Sequence, residues 1–221
     1  MLTMSELIGF GAGGQSAAKG AYLETQSSTA NGTGYTFSSV SFGAAASDRY
    51  IVACIYGAYN GAPSSVTIGG VSATKVVDSG TVGTDNWHST IYIAPVPSGT
   101  SGNIVIAGMT SALRCAMSAY RVVGLNSATP VDTDSDADGV QSITLTLDAV
   151  QNGFMLACCV GSSDSYTEVT SGITEDSNIA VESDGFSCGS STEDTGGAKT
   201  IVFKTGSIVP FPATAAAIYL S

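Results

Sequence analysis

Charge is scarce in this chain, and positive charge most of all: its 221 residues hold 7 Lys and Arg against 18 Asp and Glu, a net charge of −11. Affinity for a phosphate backbone rests on clustered Lys and Arg, and no such cluster occurs, so nucleic acid is not a partner on this reading. There is one histidine, His88, from which no His-based metal centre can be assembled. The five cysteines, Cys54, Cys115, Cys158, Cys159 and Cys188, show no C-x-x-C spacing. Their odd number and apolar surroundings fit reduced core thiols rather than a disulfide framework. No run reaches the roughly 18 apolar residues of a membrane-spanning helix, which argues against a membrane partner. The first ten residues, MLTMSELIGF, lack the basic and long apolar regions of a secretory signal. Synthesis in a reducing cytoplasm follows. Helical periodicity is missing as well.

What is present is the material of short strands and tight turns. Gly (27 residues), Ser, Thr and Ala separate clusters of Val, Ile, Tyr and Phe. Arg49 to Gly57 (RYIVACIYG) and Gly153 to Gly161 (GFMLACCVG) share Ala-Cys-x-x-Gly after aliphatic residues. Asn103 to Ile106 answers Thr200 to Phe203, and the small-residue run ending at Tyr120 answers the one ending at Tyr219. The chain is doubled. A period near one hundred residues is too long for a solenoid, so the doubling predicts two halves of one large sandwich.

Residues 1–34 read as an N-terminal arm and linker, with an apolar knot at Leu7, Ile8 and Phe10 and a short strand candidate at 22–26. Residues 35–221 read as one all-β domain, an antiparallel β-sandwich with jelly-roll or Greek-key connections and pseudo-repeat halves at about 35–124 and 142–221. Strand candidates fall at 35–42, 49–58, 64–68, 72–78, 87–94, 102–107 and 113–123, then at 142–147, 154–160, 166–170, 179–183, 185–190, 198–204 and 212–220. Ile143, Leu145 and Leu147 alternate with Thr144 and Thr146, the period of a half-buried strand. Residues 51–56 are apolar on both faces, as in a central strand covered twice. Gly69-Gly70 predicts a hairpin turn.

Few motifs carry chemistry. Gly9 to Gly14 matches G-x-G-x-x-G but has no strand before it and no helix after it, which removes the dinucleotide reading. Asp134, Asp136 and Asp138, followed by Gly139, alternate as oxygen ligands of a calcium loop do. Position twelve of that loop is Leu145 where a bidentate Glu belongs, so a site there is a weak one; Asp132 is a further candidate ligand. No nucleophile elbow accompanies His88, which reads as a strand-edge residue. Asp164, Glu168, Glu175, Asp176, Glu182 and Asp184 crowd the second half and leave a carboxylate pair for glycan cleavage open, although a solvated acidic face is the simpler reading.

Two segments carry a resemblance. Ser5 to Gly14 (SELIGFGAGG) resembles the Gly-Phe-Gly-rich leaders of tailed-bacteriophage virion proteins, and Asp48 to Ala53 with Ser65 to Val76 (SVTIGGVSATKV) is similar to a β-sandwich pattern of phage structural proteins. The resemblance covers residues 35–123 well and the second half less well. It implies a non-enzymatic virion protein, foremost a capsid decoration or head-fibre subunit present in many copies or as a homo-oligomer. Leu7, Ile8 and Phe10 are then the residues that dock on the major capsid protein or a tail component. A receptor-binding tail fibre with a lectin-like sandwich, bound to a host-surface glycan, is the first alternative. A glycan depolymerase is the second.

Overall fold

The computed structural model describes residues 17–84, 86–137, 142–162, 167–193, 195–205 and 213–221, with the side chains of 162, 167 and 205 left aside. All regular structure among them is strand. The first half contributes β1 (Lys19–Ser28), β2 (Gly32–Ser41), β3 (Tyr50–Asn60), β4 (Ser65–Ile68), β5 (Val71–Ser72), β6 (Thr74–Val82), β7 (Trp87–Pro95) and β8 (Ser101–Val123). The second contributes β9 (Asp132–Asp136), β10 (Ser142–Ala149), β11 (Gly153–Ser162), β12 (Thr167–Ser171), β13 (Thr174–Val181), β14 (Asp184–Glu193), β15 (Gly197–Thr205) and β16 (Ala213–Leu220).

The doubling holds at the level of strand pairing. In the first unit β6-β7-β3-β8-β1 form a large sheet and β5-β4-β8-β2 a small one, with the long β8 shared between them. In the second unit β13-β14-β11-β16-β9 repeat the large sheet and β12-β15-β10 the small one. β8 turns the corner around Gly108 and Ser111, both at positive φ (70° and 51°). Its counterpart is two strands, β15 and β16. Ala53 faces Ala119 on β8, and Ala157 faces Ala217 on β16, so the two Ala-Cys pairs occupy equivalent positions. The two tyrosines do not. Val52 pairs with Tyr120, whereas Leu156 pairs with Ile218; Tyr219 is one residue out of step and points to the opposite face.

Each half is therefore a sandwich of its own, where the sequence led us to expect two halves of a single one. The physical reason lies in the central strands. On β3, Val52, Cys54 and Tyr56 face one apolar cluster while Ile51, Ala53 and Ile55 face another. On β11, Leu156, Cys158 and Val160 face the first of these clusters, and Met155, Ala157 and Cys159 a third. The shared cluster lies between the two large sheets. The result is four sheets in a stack, small, large, large, small, with three apolar layers between them. The contacts between the large sheets follow an approximate twofold: β6 packs on β9 as β13 packs on β1, and β7 packs on β11 as β14 packs on β3. β16, with Thr214 and Ala216 toward the shared layer, lets β6 and β7 approach closely.

Two stretches differ from the sequence reading. Lys19–Ser28, inside the region read as arm and linker, is a ten-residue strand paired along its length with β8. Asp132–Asp136, read as an acidic connection, is a strand on β16. Gly69 and Gly70 both take positive φ (59° and 80°) and close the β4–β5 hairpin as expected.

Candidate functional site

The chain's single histidine sits in the most developed polar cluster of the first unit. A bulge in β6 between Asp78 and Thr81, with Gly80 at φ 76°, brings both side chains onto His88 of β7. Asp78 Oδ1 lies 2.6 Å from Nε2 and Thr81 Oγ1 lies 3.0 Å from Nδ1. The ring is 2% exposed and stacks on Tyr59 with centroids 5.2 Å apart. Burial pushes the imidazole below its ordinary range, outweighing the raising effect of Asp78. Burial alone would raise the Asp78 carboxyl, yet hydrogen bonds from Lys75, the Gly80 N–H and His88 bring it below its usual value. A neutral ring beside an ionised carboxylate fixes the tautomer: Nε2–H donates to Asp78, and Nδ1 accepts from the Thr81 hydroxyl, which itself accepts from the Gly61 N–H at 3.4 Å. Hydroxyl, imidazole and carboxylate stand in the order used for nucleophilic catalysis. Here the order satisfies both nitrogens of a buried ring.

Lys75 links this cluster to a cavity. Its Nζ lies 2.5 Å from Asp78 Oδ2, and its stem helps line a space of about 310 Å³ at the margin of the inter-unit layer. Tyr50, Val76, Ile93 and Pro95 form the floor, and Ala128 to Pro130 of the inter-unit connection form the rim. Clefts between packed units are where small-molecule and peptide sites concentrate. A second, shallower space of about 580 Å³ lies among the loops of the first unit, lined by Thr67, Gly69, Gly70, Ser98, Gly99 and Asn103.

The acidic row is bound into the backbone of the fold. Asp132 Oδ2 accepts from the Asp148 N–H and Asp134 Oδ2 from the Thr146 N–H, both at 2.7 Å, while each remaining oxygen accepts from the next backbone N–H along β9. These bonds close the corner between β9 and the edge strand β10. Glu24 on β1, the counterpart of Asp134 by its pairing with Ala119, does the same for the Ser41 N–H of β2 at 2.6 Å. Asp136 follows Asp134 on the strand, and Asp138 lies outside the described residues. Among the described residues no group of three His, Cys, Asp or Glu side chains stands together as a metal site would require.

The other charges hold the fold. Arg49 is 1% exposed and donates to five carbonyls, those of Phe42, Gly43, Val96, Ser98 and Gly99, tying the end of β2 to the β7–β8 turn. Arg114 on β8 reaches across the units to Asp184 and to Glu182, the latter at 2.6 Å. Glu175 accepts from the Val169 N–H and the Ser187 hydroxyl, and Asp176 from Ser190. Burial raises the Asp176 carboxyl. Glu168 is exposed on β12, and Asp164 lies outside the described residues, as do Leu7, Ile8 and Phe10.

Comparison with protein-family models yields no match, and comparison with curated proteins yields none. Among solved structures, that of the PBSX exported protein XepA matches at 13% identity and a TM-score of 0.25, over 92% of this chain and 86% of XepA. A likeness at that level decides neither family nor function. Sequence reasoning missed the Asp78–His88–Thr81 cluster because the bulge that assembles it has no signal beyond Ser79-Gly80.

Proposed function

We propose that this chain is a structural, adhesive protein of a tailed-phage particle, a capsid decoration or head-fibre subunit that docks through its leader. The observation that carries the reading is where the leader joins the fold. Ala18 is fully buried in the inter-unit layer and donates its N–H to Asn152 O of the second unit, so the leader joins the fold at the junction of the two sandwiches. A docking element placed there leaves the outer sheet of each unit free. Inserting Leu7, Ile8 and Phe10 into a groove of a neighbouring subunit contributes about 1.5–3 kcal/mol per large side chain before ordering costs, and copy number multiplies the effect. The leader's resemblance to phage virion leaders supports the same reading. Activity is adhesion, without catalysis.

The hydroxyl- and amide-lined loop space of the first unit supports a second reading, a fibre module that holds a host-surface glycan. Reconstruction of whole particles separates the two. A four-sheet block repeated over the head supports the decoration role; the same block only at the tail tip supports the fibre. Turnover of envelope polysaccharide that disappears on Glu175→Gln with Asp176→Asn would replace both with a depolymerase.

A further inference from the structure

We infer that Cys54 and Cys158 form a cross-linking site between the two units, a disulfide across the approximate twofold that a peroxide-class oxidant closes. The Ala-Cys repeat places it. Ala53 and Ala157 hold equivalent pairings, so the next residues, Cys54 and Cys158, are equivalent too, and both side chains enter the apolar layer shared by the large sheets. There the Cys54 thiol meets that of Cys158 in a hydrogen bond. A residue that touches its own equivalent across a twofold lies beside the axis, where a bridge needs the same reach from each side. The site stands apart from the docking reading above.

The neighbours keep this spot tight. Cys54 stands beside Ser118 on β8 and Cys158 beside Ala216 on β16, again equivalent and both small. β3 and β11 carry Cα atoms within 8 Å of one another, inside the roughly 10 Å usual between stacked sheets. A disulfide asks for a Cα separation of about 4.4–6.8 Å, so a slight closing of the layer completes it. The other thiols are engaged or point elsewhere: Cys188 donates to the Ser118 hydroxyl at 3.2 Å, Cys115 faces the inner cluster of the first unit, and Cys159 faces that of the second.

Hydrogen peroxide, small enough to enter where a bulky thiol reagent is not, supplies the chemistry. One thiolate attacks the peroxide: an S–O bond forms, the O–O bond breaks and hydroxide leaves. The second thiolate then attacks the sulfenic sulfur, forming the S–S bond and releasing that oxygen as hydroxide, which takes up a proton. In sum two thiols lose two electrons and two protons, and one peroxide becomes two waters. Burial first, and the contact with Cys158 after it, raise the Cys54 thiol well above its ordinary range, so the pair stays reduced until the oxidant arrives and then closes slowly.

The test exposes the full chain, purified under reducing conditions and then freed of reductant, to millimolar hydrogen peroxide. Thiols titrated after denaturation should fall from five to three, and a peptide map without reductant should join Cys54 to Cys158 within one chain. The melting temperature should rise by roughly 5–15 °C, as expected for a closed loop of about a hundred residues, and return with dithiothreitol. Cys54→Ala and Cys158→Ala should each abolish the link and the rise; Cys115→Ala should abolish neither. The map on the unsubstituted chain decides the matter even where a variant fails to fold. Five thiols still free, a sulfinic acid at Cys54 without a link, a bond between Cys158 and Cys188, or a bond between two chains each overturns the inference.

Discussion

Replacing Arg114 with alanine should separate the two units energetically. The guanidinium is 8% exposed and Asp184 only 1%. Nε donates to Asp184 and Nη1 to Glu182, which holds the arginine above its ordinary range, the Asp184 hydrogen bond being the largest cause. Removing the cation takes the charge partner from a buried carboxylate, and breaking a buried pair in this way costs about 3–5 kcal/mol. For a chain of this size each kcal/mol moves the melting temperature by about 2–4 °C, so a fall of roughly 6–20 °C is expected. Differential scanning calorimetry reads it. Emission of Trp87, buried between the large sheets, reports whether the units part before either unfolds. The double variant Arg114→Met, Asp184→Leu should recover most of the loss, because the buried negative charge is removed together with the cation. A fall under about 2 °C for Arg114→Ala, or a double variant less stable than the single, would show that the pair does not fasten the units.

Three further outcomes follow from the same structure. All five cysteines are buried and free, with burial pushing Cys188 up to about 11 and raising Cys54, Cys115 and Cys159 well above the ordinary thiol range; a thiol reagent at pH 8 should titrate none in the native protein and five after denaturation. His88 is held below its ordinary value of 6.5 in the folded chain, so the unfolded state takes up the proton first as pH falls, and stability that is whole above about pH 6.5 should decline below it; His88→Gln should flatten that slope, and an unchanged slope would place the titration elsewhere. Asp134→Ala should cost about 0.5–1.5 kcal/mol by releasing the Thr146 N–H, while millimolar calcium should leave the melting temperature of the native protein unmoved; a calcium-induced rise lost in the variant would support the metal reading.

Strands whose side chains alternate or fill a core were legible in the sequence. β10, with Ile143, Leu145, Leu147 and Ala149 inward, and β3, apolar on both faces, carry their burial in their pattern. β9 is Asp-Thr-Asp-Ser-Asp and has no apolar residue; it is a strand because β16 offers it an edge, which is tertiary context overriding propensity. β1 hides for a similar reason, since Tyr22 and Leu23 are its only large apolar residues and the strand it pairs with, β8, lies about a hundred positions away. The repeat could be read from Ala-Cys-x-x-Gly, but a sequence motif does not say whether two equivalent strands share a sheet or face each other. That was decided by both faces of β3 and β11 needing cover. The acidic row was visible and its use was not, because the N–H groups it satisfies belong to a strand that turns back from the other side of the corner.

Docking through the leader is the claim on which the functional account turns. Its most direct measurement is particle incorporation of a chain lacking residues 1–15, compared with the full chain after both are shown to melt at the same temperature. The truncated protein should fold as the full chain does and be missing from purified particles. Truncated protein present on particles at the level of the full chain would contradict the account.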